Sequence, residues 1–260
     1  MNEEYVRQTH AIAEKMKDVQ NKIAVMSGKG GVGKSVVASL ISVGLARKRK
    51  AVALLDGDIT GASIPKIFGV AKKLELGEKG IIPVTSRTGV KIVSMNLLLE
   101  REDQAIIWRG PLVGSAIRQL LADTDWGKLD YLVVDMPPGT SDAPLSLVQA
   151  LRLDGVLLVA TPQELVGMIV SKAIDMLQQT NTKLSGIVLN MVSYRCSHCG
   201  NILYPFGRTH SVNRIQEKYG IPVLAEIPFD EKIAELCDAG KIEEYESREF
   251  AELADRLVTI

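Results

Sequence analysis

Neither sign of charge prevails in this sequence: Lys plus Arg and Asp plus Glu number 31 each, a formal net charge of zero. The basic excess of a protein that wraps nucleic acid is therefore missing. No apolar run reaches the roughly 18–20 residues needed to cross a bilayer. The N-terminal stretch MNEEYVRQTHAIAEKMKDVQNK is charged and mixed, unlike a signal peptide. A cytoplasmic location with no nucleic-acid and no membrane partner is expected. Three cysteines are too few for a disulfide framework in 260 residues. In a reducing compartment a close cysteine pair then reads as a metal or redox site. There is no internal repeat and no low-complexity segment.

What is present suits one large α/β domain, spanning 22–260, with residues 1–21 as a helical extension before it. Short β-branched runs alternate with helical patterns. Strands are expected at Lys22 to Met26, Ala51 to Leu55, Lys91 to Met95, Tyr131 to Asp135, Gly155 to Ala160, Ser185 to Leu189 and Val223 to Ile227. Helices are expected at about Lys34 to Arg47, Leu112 to Ala122 and Leu165 to Gln179, with 230–258 helical. Wholly apolar strands separated by helices indicate a mainly parallel sheet covered on both faces, a three-layer α/β fold. Right-handed crossovers align the strand C-termini along one edge, where ligands bind in such sheets.

Residues 28–35 read Gly28-Lys29-Gly30-Gly31-Val32-Gly33-Lys34-Ser35. This is G-x-x-x-x-G-K-[ST] between a strand and a helix, the context that the phosphate-binding motif requires. The glycines let successive N–H groups converge on phosphates, and the helix N-terminus adds partial positive charge. Lys34 is placed to meet the β- and γ-phosphates and Ser35 to ligate magnesium. Two carboxylates, Asp56 and Asp58, close the second strand. One can hold a magnesium-bound water and the other can orient the attacking water. Tyr131-Leu132-Val133-Val134-Asp135 is an apolar strand ending in a carboxylate, a Walker B pattern, which places Asp135 on magnesium.

Cys196-Ser197-His198-Cys199 can hold one metal ion or cluster, because two intervening residues let the chain fold back around it. Four ligands are needed and no second C-x-x-C exists. One chain offers half a site, and a two-fold dimer completes it on its axis. Four thiolates suit zinc and an iron–sulfur cluster alike. His198 reads as exposed between the two, and Cys237 as a small buried hydrophobe beside Ile233 and Leu236.

The loop KGGVGKS resembles the signature-lysine branch of P-loop ATPases, which holds the Min and Par partition proteins, the nitrogenase iron protein, the arsenical-pump ATPase and the Mrp-type carriers. The stretches LLDGDITGASIPKIFG, IIWRGPLVGSAIRQLL, YLVVDMPPGTSDAPLSL, VLNMVSYRCSHCGNILYPFG and VLAEIPFDEKIAE narrow the resemblance to Mrp/Nbp-type ATPases, the scaffolds and carriers of iron–sulfur cluster assembly. It extends from about Lys22 to Phe250. It implies a three-layer P-loop NTPase fold and a slow, magnesium-dependent ATPase working as a homodimer. Its cargo would be a 4Fe–4S cluster bridging the two subunits, with apo iron–sulfur proteins as recipients. By the same resemblance Lys29 reaches the partner subunit's nucleotide, Asp58 orients water and Asp56 lies in the magnesium shell. Gly139, in Met136-Pro137-Pro138-Gly139-Thr140, belongs to a second switch that senses the γ-phosphate. The nucleotide-binding set runs from Gly28 through Val36, with Asn190 on the adenine edge and Pro228, Phe229 and Asp230 facing the base. Lys29, Lys34 and Asp58 form the catalytic set. The segment Trp108-Arg109-Gly110-Pro111 sets this group apart from the partition proteins. Some family members carry a further N-terminal domain with several cysteines, whereas here no cysteine precedes Cys196.

Two other functions compete. A Min- or Par-like spatial regulator would need a basic amphipathic C-terminal helix to hold a membrane. Here six acidic residues between Glu243 and Asp255 outnumber Lys241, Arg248 and Arg256, and the stripe Phe250, Leu253, Ala254, Leu257 reads as packing on the domain. An ATP-gated reductase like the nitrogenase iron protein would have its cluster cysteines far apart in sequence.

Overall fold

The computed structural model describes residues 3–59, 61–98, 110–140, 142–163, 168–207 and 219–258. Helix α1 (Glu3–Lys15) leads into β1 (Val19–Ser27). Then come α2 (Lys34–Arg47), β2 (Val52–Asp56) and the short α3 (Ile64–Phe68). A small hairpin, β3 (Glu75–Gly77) and β4 (Gly80–Ile82), precedes β5 (Val84–Thr85) and β6 (Lys91–Ser94). The second half runs α4 (Gly110–Asp123), β7 (Leu129–Asp135), α5 (Asp142–Ala150), β8 (Gly155–Ala160) and α6 (Met168–Gln179). It ends with β9 (Leu184–Arg195), β10 (Ile202–Leu203), β11 (Val223–Phe229), α7 (Glu231–Asp238) and α8 (Arg248–Val258).

Seven strands form a parallel sheet in the order β11-β9-β8-β1-β7-β2-β6, with β5 and β10 added antiparallel. Side-chain alternation divides each central strand between two cores. Ala24 and Met26 of β1 join Leu132 and Val134 of β7 under α1, α4, α5 and α6; Ile23 and Val25 join Tyr131 and Val133 under α2, α3 and α8. The sheet is thus covered on both faces, the three-layer α/β arrangement that the apolar runs led one to expect.

The short elements α3, β3, β4, β5 and β10 are not among the expected ones, β1 begins at Val19 within the stretch 1–21 read as a helical extension, and three further departures follow. Helix α5 has no counterpart among the expected elements; Pro144 lies in its first turn, where a missing N–H removes no helical hydrogen bond. Strand β9 does not stop at Leu189 but continues to Arg195, through Met191 at φ 58°. The C-terminal region is not one helical stretch. Gly240, at φ 67°, ends α7's region, and a Cβ there would lie 2.5 Å from Gly69 Cα. That backbone-to-backbone contact with the end of α3 turns the chain away before α8 begins. The stripe Phe250, Leu253, Ala254 and Leu257 is buried against the domain, as expected. Residues 165–167, Trp108 and Arg109 lie outside the described residues. Among the described residues no helix is long and apolar enough to cross a membrane.

Candidate functional site

The ends of β1, β2 and β7 meet at one sheet edge because the three strands are adjacent, and Asp56 stands directly opposite Asp135 in the β2–β7 register. The loop from Gly28 to Gly33 leaves β1 there and turns into α2. Gly31 and Gly33 take φ 81° and 83°, a left-handed conformation that glycine adopts without steric cost. A Cβ on Gly33 would also lie 2.2 Å from the Asn190 amide nitrogen. The Ser27 hydroxyl donates to the Lys29 carbonyl at 2.9 Å and holds the loop's first turn, while the Lys29 side chain is exposed.

Lys34 is buried, and its ammonium donates to Asp135 Oδ1 at 2.6 Å. It also lies 3.4 Å from the Ser35 hydroxyl. Asp135 is fully buried, and its Oδ2 accepts no hydrogen bond. Burial pushes its carboxyl above the usual range, against the opposing pull of Lys34 and Ser35, and Asp58 adds to the rise. Asp56 is likewise buried. Its carboxyl is pushed up to about 8, first by burial and then by Asp135's charge; the Ile64 N–H, Lys34 and the Ser94 hydroxyl oppose the rise. Two buried carboxylates thus share one ammonium, an electron-rich pocket with an orphaned oxygen. Such a donor set fits a hard divalent cation, which takes oxygen ligands.

Asp56 is also a structural anchor. Its Oδ1 accepts from the Asp58 N–H at 3.3 Å, and its Oδ2 from the Ile64 N–H at 3.3 Å and the Ser94 hydroxyl at 3.2 Å. It therefore fixes the β2–α3 loop that carries Asp58. Asp58 is half-buried at the rim, and its Oδ1 accepts from the Gly61 N–H at 3.2 Å. Gly57 escaped the sequence reading. Its N–H donates to the Asp135 carbonyl at 2.8 Å, and a Cβ there would come within 2.7 Å of that oxygen. Only glycine lets the two acidic strand ends approach this closely; its place inside Asp-Gly-Asp was the available signal. The Gly139 N–H donates to the Ser27 carbonyl at 2.9 Å, with φ 86°. In this conformation it is engaged with the end of β1.

On the other side of the loop a cavity of about 310 Å³ brings together Gly33, Val36, Asn190, Pro228, Phe229 and Asp230. Every residue expected around a base lies at this one place. Asn190 is buried and its amide donates to the Val32 carbonyl at 2.9 Å, tying β9 to the phosphate loop. Asp230 caps α7 by accepting from the Lys232 N–H at 2.9 Å, and it accepts from the Tyr245 hydroxyl at 2.9 Å. Cys237 lines this cavity too. It is half-buried rather than buried, and desolvation, helped by Asp238, pushes its thiol up to about 11, which keeps it protonated. A larger cavity of about 520 Å³ lies between α2 and α8, away from the phosphate loop.

The cysteine pair stands at the end of the β9 extension, in a turn before β10. The Cys196 N–H donates to the Asn201 carbonyl and the Gly200 N–H to the Cys196 carbonyl, both at 2.9 Å. The Cys196 thiol is lowered by hydrogen bonds from the Cys199 and His198 N–H groups and by the Cys199 thiol. Backbone donors turned towards sulfur suit a thiolate ligand. Cys199 and His198 are exposed and Cys196 is half-buried. Among the described residues no group of three or more His, Cys, Asp or Glu side chains is gathered for a metal. The turn therefore offers two thiols without further protein ligands from those residues.

Parallel sheet, glycine loop and acidic strand ends define a P-loop nucleoside triphosphatase fold. Residues 18–259 match the ParA family model described as the NUBPL iron-transfer P-loop NTPase, and the chain belongs to that family. It is 41% identical over 236 residues to the iron-sulfur cluster carrier protein of Clostridium perfringens, covering 88% of this chain and 82% of that protein. The protein of the same name from Saccharolobus solfataricus is 40% identical over 254 residues, covering 95% and 86%. Among solved structures, the nucleotide-binding protein of Archaeoglobus fulgidus in complex with ADP superposes with a TM-score of 0.83 at 41% identity, covering 93% of this chain and 95% of that one. The cell division ATPase MinD of Pyrococcus furiosus shares the fold, with a TM-score of 0.67 at 22% identity.

Proposed function

We propose that this protein is an ATP-hydrolysing, homodimeric carrier or scaffold that holds an iron–sulfur cluster and passes it to apo-proteins. The single observation behind this reading is the pairing, on one strand, of a phosphate-loop contact at Asn190 with an exposed two-thiol turn at Cys196 and Cys199. The carrier names of relatives at about 40% identity support the cluster reading over a spatial regulator, since MinD stands at 22%.

The backbone N–H groups of residues 28–33 cradle the phosphates, and Lys34 exchanges Asp135 for the β- and γ-phosphate oxygens. Ser35 and Asp135, with its unpaired Oδ2, are the residues that would hold magnesium, whose charge would stabilise the phosphate oxygens when bound. Asp56, opposite Asp135, belongs to the magnesium shell and holds the loop on which Asp58 orients the attacking water. Gly139 gives up the Ser27 carbonyl to meet the γ-phosphate. Lys29, at the surface, reaches the partner's nucleotide. Asn190, Pro228, Phe229 and Asp230 enclose the base, with Val36 beneath it. Cys196 and Cys199 from each of two chains supply the four thiolates for the cargo, held at an exposed edge that suits transfer, whereas structural zinc sites are closed.

The test is anaerobic reconstitution of wild type and Cys199→Ser, with iron, sulfide, zinc and dimer mass measured before and after an apo-acceptor is added. The expected result is about four irons per wild-type dimer, lost in the variant and recovered in the acceptor. Stoichiometric zinc that resists exchange, or full iron in Cys199→Ser, would refute the reading.

A further inference from the structure

The cavity assigned to the base and the cysteine turn are joined by a short, specific connection. Strand β9 carries Asn190 and, five residues on, ends at Arg195, directly before Cys196. Between them Met191 takes φ 58°, a left-handed conformation that is sterically costly for a non-glycine residue. The β9–β11 register slips at the same place: Ile227 pairs with Asn190, but Phe229 pairs with Tyr194. Two residues of β11 thus span four of β9. The slip sets the Tyr194 ring edge-on to Phe229, with centroids 5.9 Å apart and planes at 72°. The Tyr194 hydroxyl donates to Glu231 Oε1 at 2.8 Å, in the first turn of α7.

Phe229 therefore has two neighbours of different function. One side lines the base cavity; the other lines a second cavity of about 470 Å³ together with Tyr194, Arg195, Ser197 and Ile202 of the cysteine hairpin. Pro228, Phe229 and Asp230 form a wall common to both. Ile202 and Leu203 are half exposed, and among the described residues β10 pairs with Tyr194 and Arg195 alone. An element with few buried contacts opens locally at low free-energy cost, so a modest change at its base alters its opening.

We infer that Tyr194 is a positioning residue through which occupancy of the base cavity sets the order of the cysteine hairpin within one chain. A purine against Phe229 restricts that ring, Phe229 and Glu231 together restrict Tyr194, and Tyr194 holds the strand end from which Cys196 projects. The route reads the base and not the γ-phosphate, so ADP acts on the hairpin as ATP does. This inference rests on the nucleotide assignment proposed above. It concerns each subunit separately and does not need the two half-sites to move apart.

The experiment is amide hydrogen exchange of the metal-free protein, followed by mass spectrometry of peptides covering 191–207, without ligand, with saturating ADP and with saturating pyrophosphate. ADP affinity is measured in parallel by calorimetry. In wild type, ADP slows exchange of this segment by about threefold or more, whereas pyrophosphate, which fills the phosphate loop alone, does not. In Tyr194→Ala the ADP effect is lost while ADP affinity stays within about threefold of wild type. Glu231→Ala, an exposed change that leaves the strand intact, weakens the effect in the same direction and serves if Tyr194→Ala folds poorly. ADP binding without protection in wild type overturns the coupling, as does protection that survives both substitutions. Equal protection by pyrophosphate places the trigger at the phosphate loop and also overturns it. A wild-type protein that binds no ADP overturns the nucleotide reading itself, and the coupling with it.

Discussion

Asp135 and Cys199 are both proposed to hold metal, and their surroundings are opposite. Asp135 is fully buried, paired with a buried lysine and backed by a second buried carboxylate whose oxygens receive three donors from the β2–α3 loop, α3 and β6. Cys199 is exposed on a turn held, among the described residues, by two backbone hydrogen bonds, a further one from the Arg195 guanidinium to the Gly200 carbonyl, and a two-residue strand. The phosphate edge is fixed by its own buried contacts, the kind of setting in which electrostatic stabilisation needs little reorganisation during reaction. The hairpin has half the ligands of the proposed site and exposes Ile202 and Leu203, so its geometry depends on what joins it. A fixed reaction is suited to the first environment, and the receipt and release of cargo to the second.

The largest break in this comparison is expected from Lys34→Ala. The change removes the cation facing the phosphates and leaves Asp135 buried without its partner. ATPase kcat/KM should fall by about 10²–10³-fold or more. The unfolding free energy of the ligand-free protein should fall by about 3–5 kcal/mol, as when one member of a buried ion pair is removed. Steady-state kinetics and denaturant titration report the two separately; wild-type turnover would remove Lys34 from the site. Next comes Asp58→Asn. Asp58 lies at the rim, outside the Lys34–Asp135 ion pair, so ATP affinity should persist while kcat falls by about 10²-fold. Loss of affinity at unchanged kcat would contradict its role.

A third test sharpens the electrostatic side. Asp56 has its carboxyl raised from 3.8 to about 8 in the fold. Between those values the folded state binds more protons than the unfolded chain, so the sign of the linkage makes stability fall as pH rises. The ligand-free protein should lose stability progressively from about pH 4 to about pH 8. Asp56→Asn, which cannot ionise, should flatten that slope, and magnesium should oppose the loss in wild type. Thermal melts across this range decide it; a slope unchanged in Asp56→Asn would mean that other groups produce it.

The two regions also differ in how far they could be read from sequence. The strand–glycine–helix pattern placed Lys34, Ser35 and Asp135 at one edge, because apolar strands of a parallel sheet leave few choices for where their ends lie. It did not reveal that Lys34 pairs with Asp135, that Asp56 anchors the Asp58 loop, or that Gly57 permits the close approach of the two strand ends. Those contacts depend on how α2, β6 and β7 are brought beside the end of β2, which no local pattern encodes. At the hairpin the C-x-x-C spacing was legible, but the strand leading to it was not. Met191 adopts a left-handed conformation inside β9, and tertiary pairing with β11 and β10 carries the strand past it. Helix α5 was hidden by Pro144, and the cavity-facing position of Cys237 by an ordinary amphipathic pattern.

The smallest effect is the one that tests the comparison most directly. If the cysteine turn contributes function without contributing to the fold, its thiols can be removed at almost no cost in stability. Cys196 is half-buried and Cys199 exposed, and no hydrophobic core includes either. The turn is closed by backbone hydrogen bonds that serine leaves in place. Replacing sulfur by the smaller hydroxyl at both positions should therefore change the unfolding free energy of the metal-free protein by about 0.5 kcal/mol or less, the range for surface substitutions away from special features. ATP affinity of the metal-free protein should also be unchanged, because the phosphate loop and the base cavity contain neither residue. Iron uptake should vanish. Denaturant titration, ATP binding and reconstitution on the same Cys196→Ser/Cys199→Ser preparation give the three readings together. A loss of several kcal/mol in the metal-free variant would show that the turn is a structural element of the domain, and the contrast between a fixed edge and an exchangeable one would fail.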